Sequence, residues 1–198
     1  MRAHMALKYA AIKVELRQVE LKNMPIELIN ISPKSTVPVL QLDDKKIIDE
    51  SWDIVKWALL QNDPDNWLGI NNQYLPEVEK LVEKNDYSFK KNLDFYKYAN
   101  RFPEHSEEYY RNACEIFIGQ LELMLSDKDF LLSKNMTLAD IAVFPFVRQF
   151  SMVNIKHFRQ SSYIRVQRWL ERLINTPIFQ EAFTKHPTWK TGNVEVYL

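Results

Sequence analysis

Two different spacings of apolar residues divide the start of the chain into short elements. Apolar residues at helical spacing predict a helix over residues 2–11, and apolar residues that alternate with charged ones predict a half-buried strand over residues 13–19. Pro25 is well placed to begin a second short helix, which ends before Pro33 because a residue that precedes proline avoids the helical conformation. The predicted order is therefore helix, strand, helix.

The next stretch, residues 32–51, predicts a β-hairpin that leads into a helix. Residues 37–42 follow the two-residue period of a strand, with Val37, Val39 and Gln41 on one face and Leu40 and Leu42 on the other. An Asp-Asp pair makes the turn, and residues 46–49 run back. Pro38 removes one ladder hydrogen bond, so it fits only at an edge or near the start of a strand. A cis Val37–Pro38 bond would turn the chain sharply there and leave the backbone N–H and C=O of Val37 free.

Glu50 and Ser51 stand at the predicted start of a helix that runs to Gln61. The Ser51 hydroxyl, the first free N–H groups and the helix dipole together suit a carboxylate, whereas Glu50 suits an ammonium group. A site that takes both groups side by side takes the α-amino acid end of a ligand. In the alternative interpretation, Ser51 caps its helix and Glu50 is a solvated turn residue.

These motifs resemble one known family. The sequence T-V-P-V-L, preceded by I-S-P-K and followed by I-D-E-S, closely resembles the glutathione-binding half of the cytosolic glutathione transferases, particularly omega-like and related bacterial members. The resemblance implies an α/β thioredoxin-like domain in which Val37, ahead of a cis Pro38, pairs its backbone with the cysteinyl part of glutathione. It also implies that Glu50 and Ser51 hold the γ-glutamyl end.

The glycyl end of glutathione has a weaker match. Family members commonly carry a lysine before the proline that corresponds to Pro25, where it meets the glycyl carboxylate, but this chain has Met24. Lys22 or Lys34 could supply that contact instead. Arg2 lies where the family has an arginine at the start of its first helix, and its implied role is to steady the site rather than to react.

The resembled domain begins with a strand and a catalytic turn, often C-P-x-C or C-P-x-A, whose positions would precede Met1. The first strand of the thioredoxin-like fold is therefore missing, and we assign no catalytic residue. Tyr9 lies near the missing turn, but its helical spacing indicates a packing role. Loss of the strand would orphan roughly four or five ladder hydrogen bonds, each worth about 1 kcal/mol net. We expect a natural protein that starts upstream of Met1, or a domain that is distorted or completed by another chain.

Turn-forming residues without a regular period fill residues 62–74 and predict a linker. The linker separates the incomplete thioredoxin-like domain, residues 1–61, from an all-α helical C-terminal domain, residues 75–198. Helical spacing of apolar residues recurs in the second domain, at residues 75–100, 104–126, 162–175 and 177–184. The predicted fold class is α/β followed by all-α.

Thr137 and Asp140 give the strongest local signal in the helical domain. Thr137 is a predicted N-cap, and Asp140 stands three residues on, which is a capping box with aspartate in place of glutamate. The motif Thr-Leu-Ala-Asp resembles the buried capping motif of the glutathione transferase helical domain. The resemblance implies a role in folding rather than in chemistry.

Composition narrows the classes of function. Lys and Arg number 26, and Asp and Glu also number 26, so the chain carries no net charge. Proteins that bind nucleic acid by neutralising phosphates usually carry a basic excess, and we therefore predict no nucleic-acid partner. No apolar run approaches the length of a membrane span, and the single cysteine, Cys114, permits no internal disulfide, so we expect a cytoplasmic protein. The four histidines are far apart and lack the spacing of zinc ligands, so we predict no metal site.

Two functions fit the sequence. In the first, the chain is a glutathione transferase that uses glutathione as co-substrate, works as a homodimer and acts on a small electrophilic or disulfide substrate, as in detoxification. Its reaction would be thiol transfer if the missing turn carries cysteine, and conjugation if it carries serine or tyrosine. In the second, the chain is a non-catalytic protein-interaction module on the same fold. The intact Glu50-Ser51 pair favours the first function, and the missing strand favours the second.

Overall fold

The computed structural model describes residues 1–198, which form ten α-helices and one two-stranded sheet. The strands are β1 (Leu40–Gln41) and β2 (Ile47–Ile48). The helices are α1 (Arg2–Tyr9), α2 (Ile26–Ile31), α3 (Ser51–Gln61), α4 (Leu75–Lys84), α5 (Lys90–Lys97), α6 (Glu107–Met124), α7 (Leu138–Val153), α8 (Ile155–Gln160), α9 (Ile164–Ile174) and α10 (Pro177–Ala182).

The chain folds as two compact units. Unit 1 comprises Met1–Pro64 together with Pro177–Leu198, and unit 2 comprises Asp65–Thr176. The sequence suggested a division at residues 62–74 with everything after it in the helical domain. In the structure, α10 and the C-terminal tail instead belong to the first unit. The regular elements of unit 2 are all helices, and unit 1 holds the sheet.

Helices α1 and α3 form the centre of unit 1. Met5 and Ala6 of α1 are fully buried, as are Val55 and Ala58 of α3. Burying aliphatic side chains of this kind stabilises a fold by roughly 1.5–3 kcal/mol for each large one. The helical spacing of apolar residues therefore predicted both helices and the faces that they bury.

The segment over residues 13–19 does not form the predicted strand. It is extended, but its one antiparallel bridge joins Glu15 to Tyr197 in the C-terminal tail. The N–H of Leu16 donates to the carbonyl of Val196 at 2.7 Å. The alternation of apolar and charged residues correctly predicted which side chains are half-buried. It carried no information about the partner, which lies at the other end of the sequence.

The predicted hairpin forms with very short strands. Leu40 lies opposite Ile48 and Gln41 opposite Ile47, in antiparallel register. The turn places Lys45 at a φ of 65°. A left-handed backbone at this position closes the turn tightly, so the hairpin needs few residues. Helix α3 begins three residues after β2 ends.

Unit 2 departs from the predicted helices in two places. The helix predicted over residues 75–100 divides into α4 and α5 around a π-helical turn at Asn85–Phe89. Helix α8 has only six residues, too few for its apolar spacing to predict it. None of the ten helices is both long and apolar enough to cross a lipid bilayer.

Asp140 forms the predicted capping box at the start of α7. Its carboxylate accepts the backbone N–H of Thr137 at 2.8 Å and the Thr137 hydroxyl at 2.9 Å. The same carboxylate accepts the N–H of Leu131 at 2.9 Å and the indole N–H of Trp169 at 2.8 Å. Burial raises the pKa of Asp140, and these hydrogen bonds oppose the rise. Since all four partners are donors, the site suits an ionised carboxylate.

His4 is a half-buried titratable group in the contact between α1 and α10 of unit 1. Burial lowers the pKa of His4 from 6.5 to about 4. The positive charges of the Met1 amino group, His186 and Lys8 act in the same direction, against a hydrogen bond with the Ala182 backbone. The imidazole is therefore neutral in the folded chain at neutral pH.

We expect acid to destabilise the fold through His4. Between about pH 6.5 and pH 4 the unfolded chain binds a proton at His4 that the folded chain does not, so the free energy of unfolding falls as pH falls. The loss is about 2 kcal/mol by pH 5. Urea unfolding at pH 7.5 and pH 5 measures it, and His4→Gln is the variant that should lose this component. Equal losses in both proteins would contradict the assignment.

Candidate functional site

The loop that leads into β1 carries the cis Val37–Pro38 bond that the resemblance implies. The side chain of Val37 is 45% exposed. Its backbone N–H and C=O form no hydrogen bond within the chain. An exposed backbone donor and acceptor in an extended loop can pair with the backbone of a peptide-like ligand.

The first turn of α3 is open to an acceptor from outside the chain. Ser51 is the first residue of α3, and Glu50 precedes it with an extended backbone. No side chain caps the first turn, so Ser51 does not act as the N-cap of the alternative interpretation. The first N–H groups of a helix lack partners inside it and carry a partial positive charge. This end of α3 is therefore suited to a carboxylate.

Lys34 brings a positive charge to the same place. Its ammonium lies 3.0 Å from the Asp49 carboxylate and 3.5 Å from the Glu50 carboxylate. The hydrogen bond and the charge of Asp49 raise the pKa of Lys34. The Glu50 side chain remains 63% exposed. One lysine thus lies between two acidic groups beside the open turn, and we name Lys34, Asp49, Glu50 and Ser51 the α3 cluster.

Asp49 is the member of the α3 cluster that the sequence did not single out. It lies within the I-D-E-S motif, immediately before Glu50. Its role as the closer partner of Lys34 depends on a contact between residues far apart in sequence, which no local period encodes. The only signal was the presence of two adjacent acidic residues after the hairpin.

Lys22 does not join the α3 cluster. It is exposed in the tight turn whose flanking residues, Glu20 and Asn23, form an isolated bridge. It forms no ion pair with any residue of the chain. Met24, where the family commonly has lysine, is half-buried. Of the two lysines proposed from the sequence, only Lys34 contacts another predicted site residue.

Arg2 and Tyr9 are both engaged in packing. Arg2 is only 3% exposed, and its guanidinium lies 5.9 Å from the centre of the Trp52 ring, next to Ser51 in α3. The Tyr9 hydroxyl donates to Asp63 at 2.7 Å. Arg2 therefore packs against the first turn of α3. Tyr9 holds the end of α1 in place, in agreement with the packing role that its helical spacing indicated.

Cys114 cannot serve as a thiolate nucleophile in this fold. Its side chain is fully buried in unit 2. Burial, followed by the negative charge of Glu115, raises the pKa of Cys114 to about 12. A thiol that stays protonated at neutral pH is a poor nucleophile. No group of three or more His, Cys, Asp or Glu side chains is placed to hold a metal ion.

Family models match both ends of the chain's domain organisation. A family model described as the N-terminal domain of glutathione S-transferase matches residues 1–59, and one described as the C-terminal domain matches residues 111–172. Together the two matches cover more than half of the chain. No curated protein matches the chain significantly.

Solved structures share the fold over nearly the whole chain. A bacterial glutathione transferase, BphK in a ternary complex, is 25% identical, with 91% of each chain covered and a TM-score of 0.72. A Gtt2-class glutathione S-transferase of Vibrio parahaemolyticus is 22% identical, with 91% of this chain and 90% of that chain covered and a TM-score of 0.71. A glutathione S-transferase from Rhodospirillum rubrum F11 is 17% identical, with 94% of this chain and 88% of that chain covered and a TM-score of 0.76. The chain belongs to the glutathione S-transferase family.

Proposed function

We propose that the chain binds glutathione as a co-substrate through the α3 cluster and the backbone of Val37. The observation that supports this most directly is the exposed Glu50 carboxylate beside the uncapped first turn of α3. An acceptor for an ammonium group and donors for a carboxylate stand on adjacent residues. The γ-glutamyl end of glutathione carries an ammonium and a carboxylate on one carbon atom.

Each charged group of that end has a proposed partner. Glu50 accepts hydrogen bonds from the ammonium, and the first N–H groups of α3 with the Ser51 hydroxyl donate to the carboxylate. Lys34, whose ammonium lies 3.5 Å from the Glu50 carboxylate, adds a positive charge beside the same end of the ligand. In this proposal Lys34 serves the γ-glutamyl end, whereas the sequence suggested the glycyl end for it.

The cysteinyl part of the ligand pairs with Val37 in this proposal. The free backbone N–H and C=O of Val37 would exchange two hydrogen bonds with the peptide backbone of glutathione, as in strand addition. The family fold also favours binding near Pro38, which follows Val37 through the cis bond. The bound thiol would then attack an electrophile: its sulfur forms the new bond, its proton is released and the leaving group departs. We assign no side chain of the chain to the ionisation of this thiol.

The test of glutathione binding is a thermal unfolding series. A ligand that binds only the folded chain raises Tm in proportion to the logarithm of its concentration once it exceeds Kd. We expect Tm to rise with glutathione, and to rise much less in Ser51→Ala. A Tm that does not respond up to millimolar glutathione would overturn the proposal.

A non-catalytic interaction module on the same fold is the second candidate. The observation that favours it is the burial of Cys114, which leaves the chain without a reactive thiol of its own. Conjugation of glutathione to chlorodinitrobenzene separates the two functions. Turnover above the uncatalysed rate supports a transferase, whereas glutathione binding without turnover supports the module. We also propose that the chain is cytoplasmic and forms a homodimer. Sedimentation velocity measures the oligomeric state.

Replacing Lys34 with glutamine should weaken glutathione binding roughly fivefold, the size expected for one largely exposed charge contact. Lys22→Gln removes the same charge from the exposed turn and should leave the affinity unchanged. Calorimetric titration of both variants measures the difference. A larger loss in Lys22→Gln than in Lys34→Gln would show that the wrong lysine was placed at the site.

A further inference from the structure

Unit 2 contains a concave pocket of about 520 Å³ between α9 and the loop that precedes Thr137. Its lining is strongly basic, although the whole chain carries equal numbers of basic and acidic residues. Two acidic side chains, Asp127 and Asp129, also line it. The basic residues of the lining are Lys128, Lys134, Arg165, Arg168 and Arg172.

The sequence of α9 places three of these cations along one side of the helix. Arg165, Arg168 and Arg172 are spaced by three and four residues, which brings neighbouring side chains to within about 5–6 Å at Cβ. The adjacent face of α9 buries Trp169 and Leu173. The arginines therefore border the buried face and line the pocket rather than pointing away from the unit.

The loop on the other side of the pocket is held against α9. Arg172 donates to the backbone carbonyl of Asp129 at 2.7 Å and pairs with its carboxylate at 2.8 Å. Asp140 accepts the N–H of Leu131 in the same loop. Because the loop is fixed at both positions, the pocket is a property of the folded unit, and Arg172 is used to build its wall.

The remaining cations differ in how far they are neutralised. Arg165 pairs with Glu122 at 3.2 Å, and that carboxylate also accepts the N–H of Arg165 and of Val166. Lys128 pairs only loosely with its neighbour Asp127, at 3.8 Å.

Arg168 and Lys134 form no hydrogen bond or ion pair with any residue of the chain. Both side chains are exposed. Two cations without partners thus face one pocket, with Lys128 as a weakly held third.

We propose that this pocket binds a small soluble anion that carries phosphate groups, with Arg168 and Lys134 as its main ligands. A guanidinium presents paired donors that match a phosphate, and an ammonium supplies a compact charge. The volume lies in the range of small-molecule sites, about 300–1,000 Å³, and suits a molecule up to the size of a nucleoside diphosphate. The pocket lies wholly within unit 2, so the proposal is independent of glutathione binding.

Calorimetric titration with inorganic pyrophosphate at low ionic strength tests the proposal. We expect saturable binding to one site, with an affinity that falls as salt is added. Arg168→Gln should weaken binding at least about tenfold, the effect of losing a charge-assisted contact. Asp127→Asn should strengthen it, because that change removes a repelling negative charge.

Arg159→Gln is the matched control, since Arg159 is an exposed arginine of α8 outside the pocket lining. It should leave the affinity unchanged. Absence of saturable binding, or equal weakening in Arg159→Gln and Arg168→Gln, would overturn the proposal. So would a single-stranded oligonucleotide that displaced pyrophosphate at a lower concentration, because the site would then be part of a nucleic-acid surface. All variants change exposed side chains, and circular dichroism confirms that they are folded.

Discussion

Asp140→Ala is expected to prevent stable folding of the helical unit. The change removes the only acceptor for three buried N–H groups and one hydroxyl, from Leu131, Thr137 and Trp169. A buried donor left without a partner costs about 1–3 kcal/mol, so four of them cost at least about 4 kcal/mol. Domains are stable by only about 5–15 kcal/mol. Urea unfolding, or expression in insoluble form, is the measurement.

Two milder variants should give a graded series. Asp140→Asn keeps the volume of the side chain and one acceptor oxygen but turns an NH₂ group towards donors. We therefore expect the free energy of unfolding to fall by less than in Asp140→Ala. Thr137→Val removes the hydroxyl that donates to the Asp140 carboxylate and accepts the Asp140 N–H in the capping box, while the carboxylate keeps three other donors. We expect the free energy of unfolding to fall by about 1–2 kcal/mol. Full stability in Asp140→Ala would show that the capping box is dispensable and would contradict this account of α7.

Glu50→Gln is expected to reduce the affinity for glutathione roughly 10- to 100-fold. The variant replaces a charged acceptor for the ammonium with a neutral one of the same shape, and hydrogen bonds to charged groups are worth about 1.5–3 kcal/mol. It also releases Lys34 from one of its two acidic partners. Because the side chain is largely exposed, the stability of the fold should not change. Isothermal titration calorimetry measures the affinity.

Glu79→Gln is the matched control for Glu50→Gln. Glu79 is an exposed glutamate of α4, in unit 2, and its replacement makes the same change in net charge. We expect wild-type affinity. Equal affinities in Glu50→Gln and the unaltered chain would mean that Glu50 is the solvated turn residue of the alternative interpretation.

Local patterns in the sequence predicted the elements that depend on neighbouring residues. The capping box at Thr137, the helix from Ser51 and the hairpin before it all follow from residues within a few positions of one another. Their causes are the capping box at Thr137, the helical spacing of apolar residues after Ser51 and the two-residue period of the hairpin, which all act over short distances. The family resemblance added the cis bond before Pro38, which local physics alone did not establish.

The sequence did not predict contacts between residues that are distant along the chain. The partner of the segment around Glu15 is the C-terminal tail at Tyr197, and the closer partner of Lys34 is Asp49. An apolar period specifies which face of an element is buried, but it does not specify what covers that face. The π-helical turn within the predicted helix over residues 75–100 was missed because the buried residues Asn85, Phe89 and Leu93 are each four positions apart, a spacing that a continuous α-helix also gives.

Calorimetric titration of the unaltered chain with glutathione and with cysteinylglycine tests the central claim most directly. Cysteinylglycine keeps the thiol and the glycyl end but lacks the γ-glutamyl group that Glu50 and Ser51 are proposed to hold. The account predicts saturable binding of glutathione and little or none of the dipeptide. Equal binding of both, or no binding of glutathione to the folded chain, would contradict it.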